Sequence, residues 1–240
     1  MSKPRTSYKL WLAGHFLRFL FALLILAVCA LLCWRVFISG NPPAKMKQLS
    51  PNEALAQAYK THGEELTLFT QEQATVTRGE GNYGYFGVPR FVFIPQAEQL
   101  QVTFRYNNST LESVKNDYAL AEIPPRGVEI FDVTFLQVID MTPTDTTDNT
   151  DDSPNLQKQR IAPTDRSITT TALYTYVLYT FDGVALGEDT LAAFLDVYYN
   201  ADIDYEKPAY GTLRLYHRES ENLPVKLSKK ESKALKNAGY

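Results

Sequence analysis

Residues 100–107 read Leu-Gln-Val-Thr-Phe-Arg-Tyr-Asn. Leu100, Val102, Phe104 and Tyr106 alternate with the polar residues Gln101, Thr103, Arg105 and Asn107. Successive side chains of an extended chain point to opposite faces, so this stretch predicts a half-buried β-strand with a clear inside and outside. Asn107-Asn108-Ser109 then supplies turn residues. On the other side, Phe91-Val92-Phe93-Ile94 is a shorter apolar run closed by Pro95, and Glu80-Gly81-Asn82-Tyr83-Gly84 reads as a hairpin turn or bulge.

The same period continues downstream. Val128 to Met141 predicts a long strand with apolar residues on both faces, Phe131, Val133 and Phe135 on one and Ile130, Leu136 and Val138 on the other. Such a strand is expected to be central, or to bend between two sheets. Residues 142–158, beginning TPTDTTDNTDDSP, hold Asp145, Asp148, Asp151 and Asp152 and few large apolar groups; they predict a mobile acidic loop. Ile168 to Phe181 reads as one long strand turned by Asp182-Gly183. Leu191–Tyr199 and Gly211–His217 read as paired strands around the loop 200–210. Eight or nine strands with helices only at the ends predict a mainly-β domain over 64–221, an immunoglobulin-like β-sandwich. A mixed α+β fold is the alternative.

Upstream, Ser50-Pro51-Asn52-Glu53 predicts a helix over Pro51–Thr61, with Ser50 as N-cap, Glu53 closing a capping box and Gly63 as its stop. This helix and Gly40-Asn41-Pro42-Pro43 make 39–63 a juxtamembrane connector. Before it lies Phe19–Ile38, FLFALLILAVCALLCWRVFI, without acid or proline. About 20 apolar residues in a helix span roughly 30 Å, the thickness of a bilayer core. Residues 17–38 are therefore expected to be one uncleaved transmembrane helix. Its h-region is too long for a signal peptide, and no small-residue cleavage site follows. Lys3, Arg5, Lys9 and Arg18 before the span, against Arg35, Lys45 and Lys47 after it, put 1–16 in the cytoplasm and the β domain outside the cell membrane. Residues 222–240, with a capping-box pattern at Ser228–Glu231 and several lysines, predict a basic tail helix.

Net charge is −3, which argues against an electrostatic nucleic-acid binder. Cys29 and Cys33 both lie inside the apolar span, so the β domain has no thiol chemistry. His15, His62 and His217 are far apart, with no metal-ligand spacing. No nucleophile elbow, phosphate loop or dinucleotide fingerprint is present, and no enzyme activity is expected. Asn200, Asp202, Asp204 and Glu206 alternate, which in an extended segment would converge oxygen ligands suited to calcium; the run lacks the glycine and glutamate of an EF-hand. Asp202 and Asp204 are also a candidate acid–base pair. Tyr174, Tyr176, Tyr198, Tyr205, Tyr210 and Tyr216 are candidates for an aromatic binding face, against ordinary strand preference.

GNPP at 40–43, NYGYF at 82–86, FRYNNSTL at 104–111 and DYEKPAYGTLRLY at 204–216 resemble a group of uncharacterised single-pass membrane proteins of Gram-positive gut bacteria. That resemblance implies bacterial origin and a membrane-anchored exterior domain, and it assigns no activity or functional residue. The expected function is a binding or interaction module at the cell surface. It is held to the lipid bilayer by its N-terminal helix, with a protein or cell-wall polymer as partner. The alternative is an accessory subunit or assembly factor of a membrane complex.

Overall fold

A computed structural model describes residues 6–40, 42–74, 86–141, 156–187, 189–217 and 225–226. The chain divides into two units, 1–41 and 42–240. In the first, α1 (Thr6–Gly40) contains His15–Trp34, which is long and apolar enough to cross a membrane, and none of that window is buried within the protein. Consecutive residues such as Leu23, Leu24, Ile25 and Leu26 are all exposed, so the helix is apolar around its whole circumference. Cys29 and Cys33 are exposed on it.

The second unit opens with a 3-10 turn, Ala44–Lys47, and α2 (Glu53–His62). Then follow β1 (Thr67–Ala74), β2 (Phe86–Ile94), β3 (Gln99–Asn107), α3 (Thr110–Asp117), β4 (Phe131–Asp140) and β5 (Leu156–Ile161). The chain continues through β6 (Asp165–Thr170), β7 (Tyr174–Asp182), β8 (Thr190–Tyr199), β9 (Gly211–His217) and β10 (Val225–Lys226). A six-stranded antiparallel sheet runs β10-β1-β2-β3-β7-β6, and a four-stranded one runs β5-β4-β8-β9.

The two sheets share one core. Leu100, Val102, Phe104 and Tyr106 of β3 point into it, as their alternation predicts, and meet Phe131, Val133 and Phe135 of β4 and Leu195 and Val197 of β8. β4 is interior to its sheet, between β5 and β8, as expected of a strand with apolar residues on both faces. Leu213 and Leu215 of β9 also point inward. The sheets approach closely at Gly211: a Cβ there would lie 2.9 Å from two ring carbons of Phe86. Gly211→Ala is expected to lower stability by about 1–3 kcal/mol through overpacking, read as a lower urea midpoint for the detergent-solubilised chain.

The polar face of β3 is not open to water, which corrects the expectation of a half-buried strand. Gln99, Gln101 and Thr103 are all buried. The segment from Pro42 onward, expected to be a connector separate from the domain, packs with the β domain and lies across this face. Ser50 N donates to Gln101 Oε1 at 2.7 Å, and Gln101 Nε2 donates back to Ser50 O at 2.7 Å. Thr103 Oγ1 donates to Met46 O at 2.8 Å, and Gln99 Nε2 donates to Asn52 Oδ1 at 2.8 Å and to Asp182 Oδ1 at 2.7 Å. Arg90 Nη1 donates to Lys47 O. Met46 is fully buried against Tyr176 and Leu178. Leu55, Ala58 and Tyr59 of α2 cover Leu66, Leu68, Val92 and Ile94. The cap of α2 also moves: Asn52, not Ser50, accepts from Leu55 N at 3.0 Å, because the helix starts at Glu53 and Asn52 is the extended residue just before it. Gly63 ends the helix at φ 55°, as expected.

Three further expectations change. The single strand Ile168–Phe181 is two, β6 and β7, joined through Thr171–Leu173, where Thr171 N donates to Tyr174 O at 2.8 Å. Residues 156–158, placed in the acidic loop, begin β5 and pair with 138–140 of β4. The turn at Asn107–Ser109 continues into α3, whose Leu111 and Val114 are buried three residues apart on one helical face. The expected acidic stretch 142–154, the turn at Glu80–Gly84 and the tail helix from Ser228 lie outside the described residues.

Candidate binding face of the four-stranded sheet

Because Phe131, Val133 and Phe135 point inward, β4 presents Asp132, Thr134, Leu136 and Val138 outward. On β8 the inward Ala193, Leu195 and Val197 leave Ala192, Phe194, Asp196 and Tyr198 outward. Cross-strand pairing assembles them into rows. Thr134 faces Asp196, which faces Thr212. In the next row Arg160 pairs with Leu136, Leu136 with Phe194, and Phe194 with Arg214. Val138 lies between Lys158 and Ala192 in the row after.

Arg160 organises one side of this face. Its Nη2 lies 3.3 Å from Asp196 Oδ2, and Asp196 Oδ1 accepts from Thr212 Oγ1 at 3.0 Å. The guanidinium lies 5.3 Å from the Tyr198 ring centroid and 4.9 Å from that of Tyr205. The two rings meet edge to face at 5.1 Å. Tyr205 OH donates to Asp132 Oδ2 at 2.7 Å, which latches the loop 200–210 onto the sheet. Each cation–π contact at such a partly open site is worth about 0.5–1 kcal/mol.

The bond to Asp132 and burial push the Tyr205 hydroxyl from the usual 10.0 up to about 12. Burial also raises Tyr198. The neutral phenol is the donor, so the latch is intact below the unfolded value near 10 and is lost as pH rises through about 12. In a difference titration of phenolate absorbance, Tyr205→Phe is expected to remove a component near pH 12, and Asp132→Asn is expected to return it toward 10. An unchanged curve in both variants would contradict the latch.

The four candidate calcium ligands do not form the alternating row that their spacing suggests. Asn200–Asp202 is a 3-10 turn, so the extended segment needed for convergence is broken. Asn200 Nδ2 donates to Glu129 O at 2.9 Å. Asp204 accepts from Glu206 N at 3.0 Å and sits 3.3 Å from Lys207 Nζ. The Glu206 amide, with Lys207, holds the Asp204 carboxyl below its usual value, the opposite of what a proton-donating acid needs. The Glu206 side chain is exposed. Among the described residues no three His, Cys, Asp or Glu side chains gather as metal ligands.

Nor do Tyr174, Tyr176, Tyr198, Tyr205 and Tyr210 share a face; the Tyr216 side chain lies outside the described residues. Tyr176 is buried beneath Met46, and Tyr210 is buried with its OH donating to Asp117 Oδ2 at 2.8 Å. Tyr174 lies under the Arg105 guanidinium, 4.8 Å away. Tyr174 and Tyr176 meet at 6.1 Å on the six-stranded sheet, and Tyr198 and Tyr205 meet around Arg160 on the four-stranded one. Arg160, Asp132, Phe194 and Arg214 carried no signal in the sequence, since register alone brings them together. His15, His62 and His217 sit on α1, α2 and β9. No family model, no curated protein and no solved structure matches the chain.

Proposed function

We propose that the protein is a single-pass membrane protein whose extracytoplasmic β domain is a binding module at the cell surface. One observation carries the binding reading: the two outer sheet faces are treated differently. That of the six-stranded sheet is closed by the chain's own segment from Met46 to Tyr59. That of the four-stranded sheet keeps Leu136, Phe194 and Arg214 partly open, beside a set of aromatic and arginine side chains of the kind enriched at recognition sites. The unburied apolar helix supports the anchor, and the excess of Lys and Arg before it supports an inside N-terminus. The resemblance to membrane proteins of Gram-positive gut bacteria supports the same address.

Two antiparallel sheets over one core are also the architecture of immunoglobulin-like binding domains. The likeness is one of layers; the consecutive neighbours β1-β2-β3 are this chain's own order, so fold analogy lends only general support. Protease added to intact cells is expected to digest the β domain from a chain tagged at its C-terminus, and full protection would overturn the exterior placement. Replacing Phe19–Ile38 by an unrelated apolar helix is expected to leave partner binding intact. Loss of binding on that exchange would favour an accessory subunit that pairs through its span.

A further inference from the structure

Arg214 is the unusual member of the open face. It is half-buried, its Nε is shut off from water without an acceptor, and it makes no hydrogen bond or ion pair among the described residues. Arg160, at the far end of the same row, is held by Asp196 and two rings. A guanidinium partly withdrawn from water with no carboxylate is unfavourable, and its planar fork matches a carboxylate in two-pronged geometry. Its cross-strand neighbour is Phe194, and beyond that Leu136, both half-buried.

We propose that this face docks an acidic peptide segment of a protein partner, with a carboxylate on Arg214 and an apolar side chain on Phe194 and Leu136. The proposal rests on the binding-module reading and names its ligand class. Strands lie about 5 Å apart, so Phe194 and Leu136 follow Arg214 at roughly 5 and 10 Å. An extended peptide laid across the strands places residues i and i+2 about 7 Å apart on one side. A Glu-x-Leu step therefore sets its leucine between Phe194 and Leu136 when its glutamate meets Arg214. The apolar centre selects against a polyol-phosphate wall polymer, which has charge but no apolar side chain to cover it.

The test uses the full chain in detergent and a fluorescein-labelled peptide, acetyl-Thr-Glu-Thr-Leu-Thr-amide, followed by polarisation. Saturable binding is expected. It should weaken about tenfold or more with glutamine for the peptide's glutamate, with serine for its leucine, and with Arg214→Gln in the protein. Arg214→Gln should not lower the thermal midpoint, since it removes an unpaired charge, and Arg126→Gln, at an exposed loop, should bind as the unaltered chain does. Absent binding, equal binding by Arg214→Gln, or displacement by poly(glycerol phosphate) with no dependence on the leucine would each overturn the proposal. A photo-crosslinking residue in cells separates it from the broader reading. Adducts from Lys158 on this face, reduced by Arg214→Gln, support both. Adducts from exposed Glu98 alone leave a binding module but sink this face, and adducts from neither sink both.

Discussion

Replacing Phe131 with alanine is expected to lower the stability of the β domain by about 4 kcal/mol. Phe131 begins β4 and is 2% exposed. Its ring meets Phe86 of β2 edge-on at 5.1 Å and Tyr106 of β3 edge-on at 5.1 Å, and stacks on Tyr210 at 5.9 Å. It thus packs the start of β4 against the six-stranded sheet, as Phe135 against Phe181 does further along the strand. Each such aromatic pair contributes about 0.5–1.5 kcal/mol beyond its buried area. The space left by alanine is walled by three large rings, and Gly211 is already in close contact with Phe86, so the walls have little room to collapse inward. Phe131→Leu, which keeps most of the volume, is expected to cost about 1–2 kcal/mol. Urea unfolding followed by tyrosine fluorescence reads chiefly the β domain, because only Tyr8 among the tyrosines lies in α1, along with both tryptophans, Trp11 and Trp34. A loss under about 1 kcal/mol for the alanine variant would show that the core relaxes around the gap.

The inward face of this core was legible because it rests on a local rule. Leu100, Val102, Phe104 and Tyr106 announce their strand by alternation, and α1 announces itself by composition alone. What covers the outward face was not legible. Gln101 and Thr103 look solvent-facing because they are polar, yet their partners, Ser50 and Met46, are 51 and 57 residues away and contribute backbone atoms, which no side-chain pattern marks. The break between β6 and β7 falls on Thr171-Ala172-Leu173, without Gly, Pro, Asn or Asp to signal it. α3 is short, and Ser109 makes no capping bond there, so little but the Leu111–Val114 spacing hints at it. The alternating row expected over 200–206 is interrupted for a related reason: alternation aligns side chains only if the chain stays extended, and 200–202 is a 3-10 turn. The Arg160 set joins residues 36 and 45 apart in sequence through register and loop path, information that a single strand does not hold.

Gln101 gives the second large effect, and it tests the covering layer directly. Its carboxamide treats Ser50 as a neighbouring strand would: Oε1 accepts from Ser50 N and Nε2 donates to Ser50 O, each at 2.7 Å, while Nε2 also donates to Gln99 Oε1 at 2.7 Å. Gln101→Ala leaves an amide, a carbonyl and a buried side-chain oxygen without these partners. Each such orphan costs about 1–3 kcal/mol, and water admitted at the exposed margin offsets part, so about 3 kcal/mol in total is expected. The loss should be local first: amide exchange at Ser50 accelerates while Val102 and Phe104, held in β3, stay protected. Gln101→Glu is sharper. A neutral glutamic acid keeps the acceptor and one donor, whereas the carboxylate faces Ser50 O and Gln99 Oε1 with no hydrogen to give. Burial against these acceptors raises its folded pKa above the usual value near 4.3, so the variant's stability is greatest below about pH 4 and declines as pH rises through the raised value. Recovery of Ser50 protection on acidification in Gln101→Glu, absent in Gln101→Ala, would identify the missing donor as the cause. Unchanged Ser50 exchange in both variants would mean that the segment is held by α2 and Met46 alone.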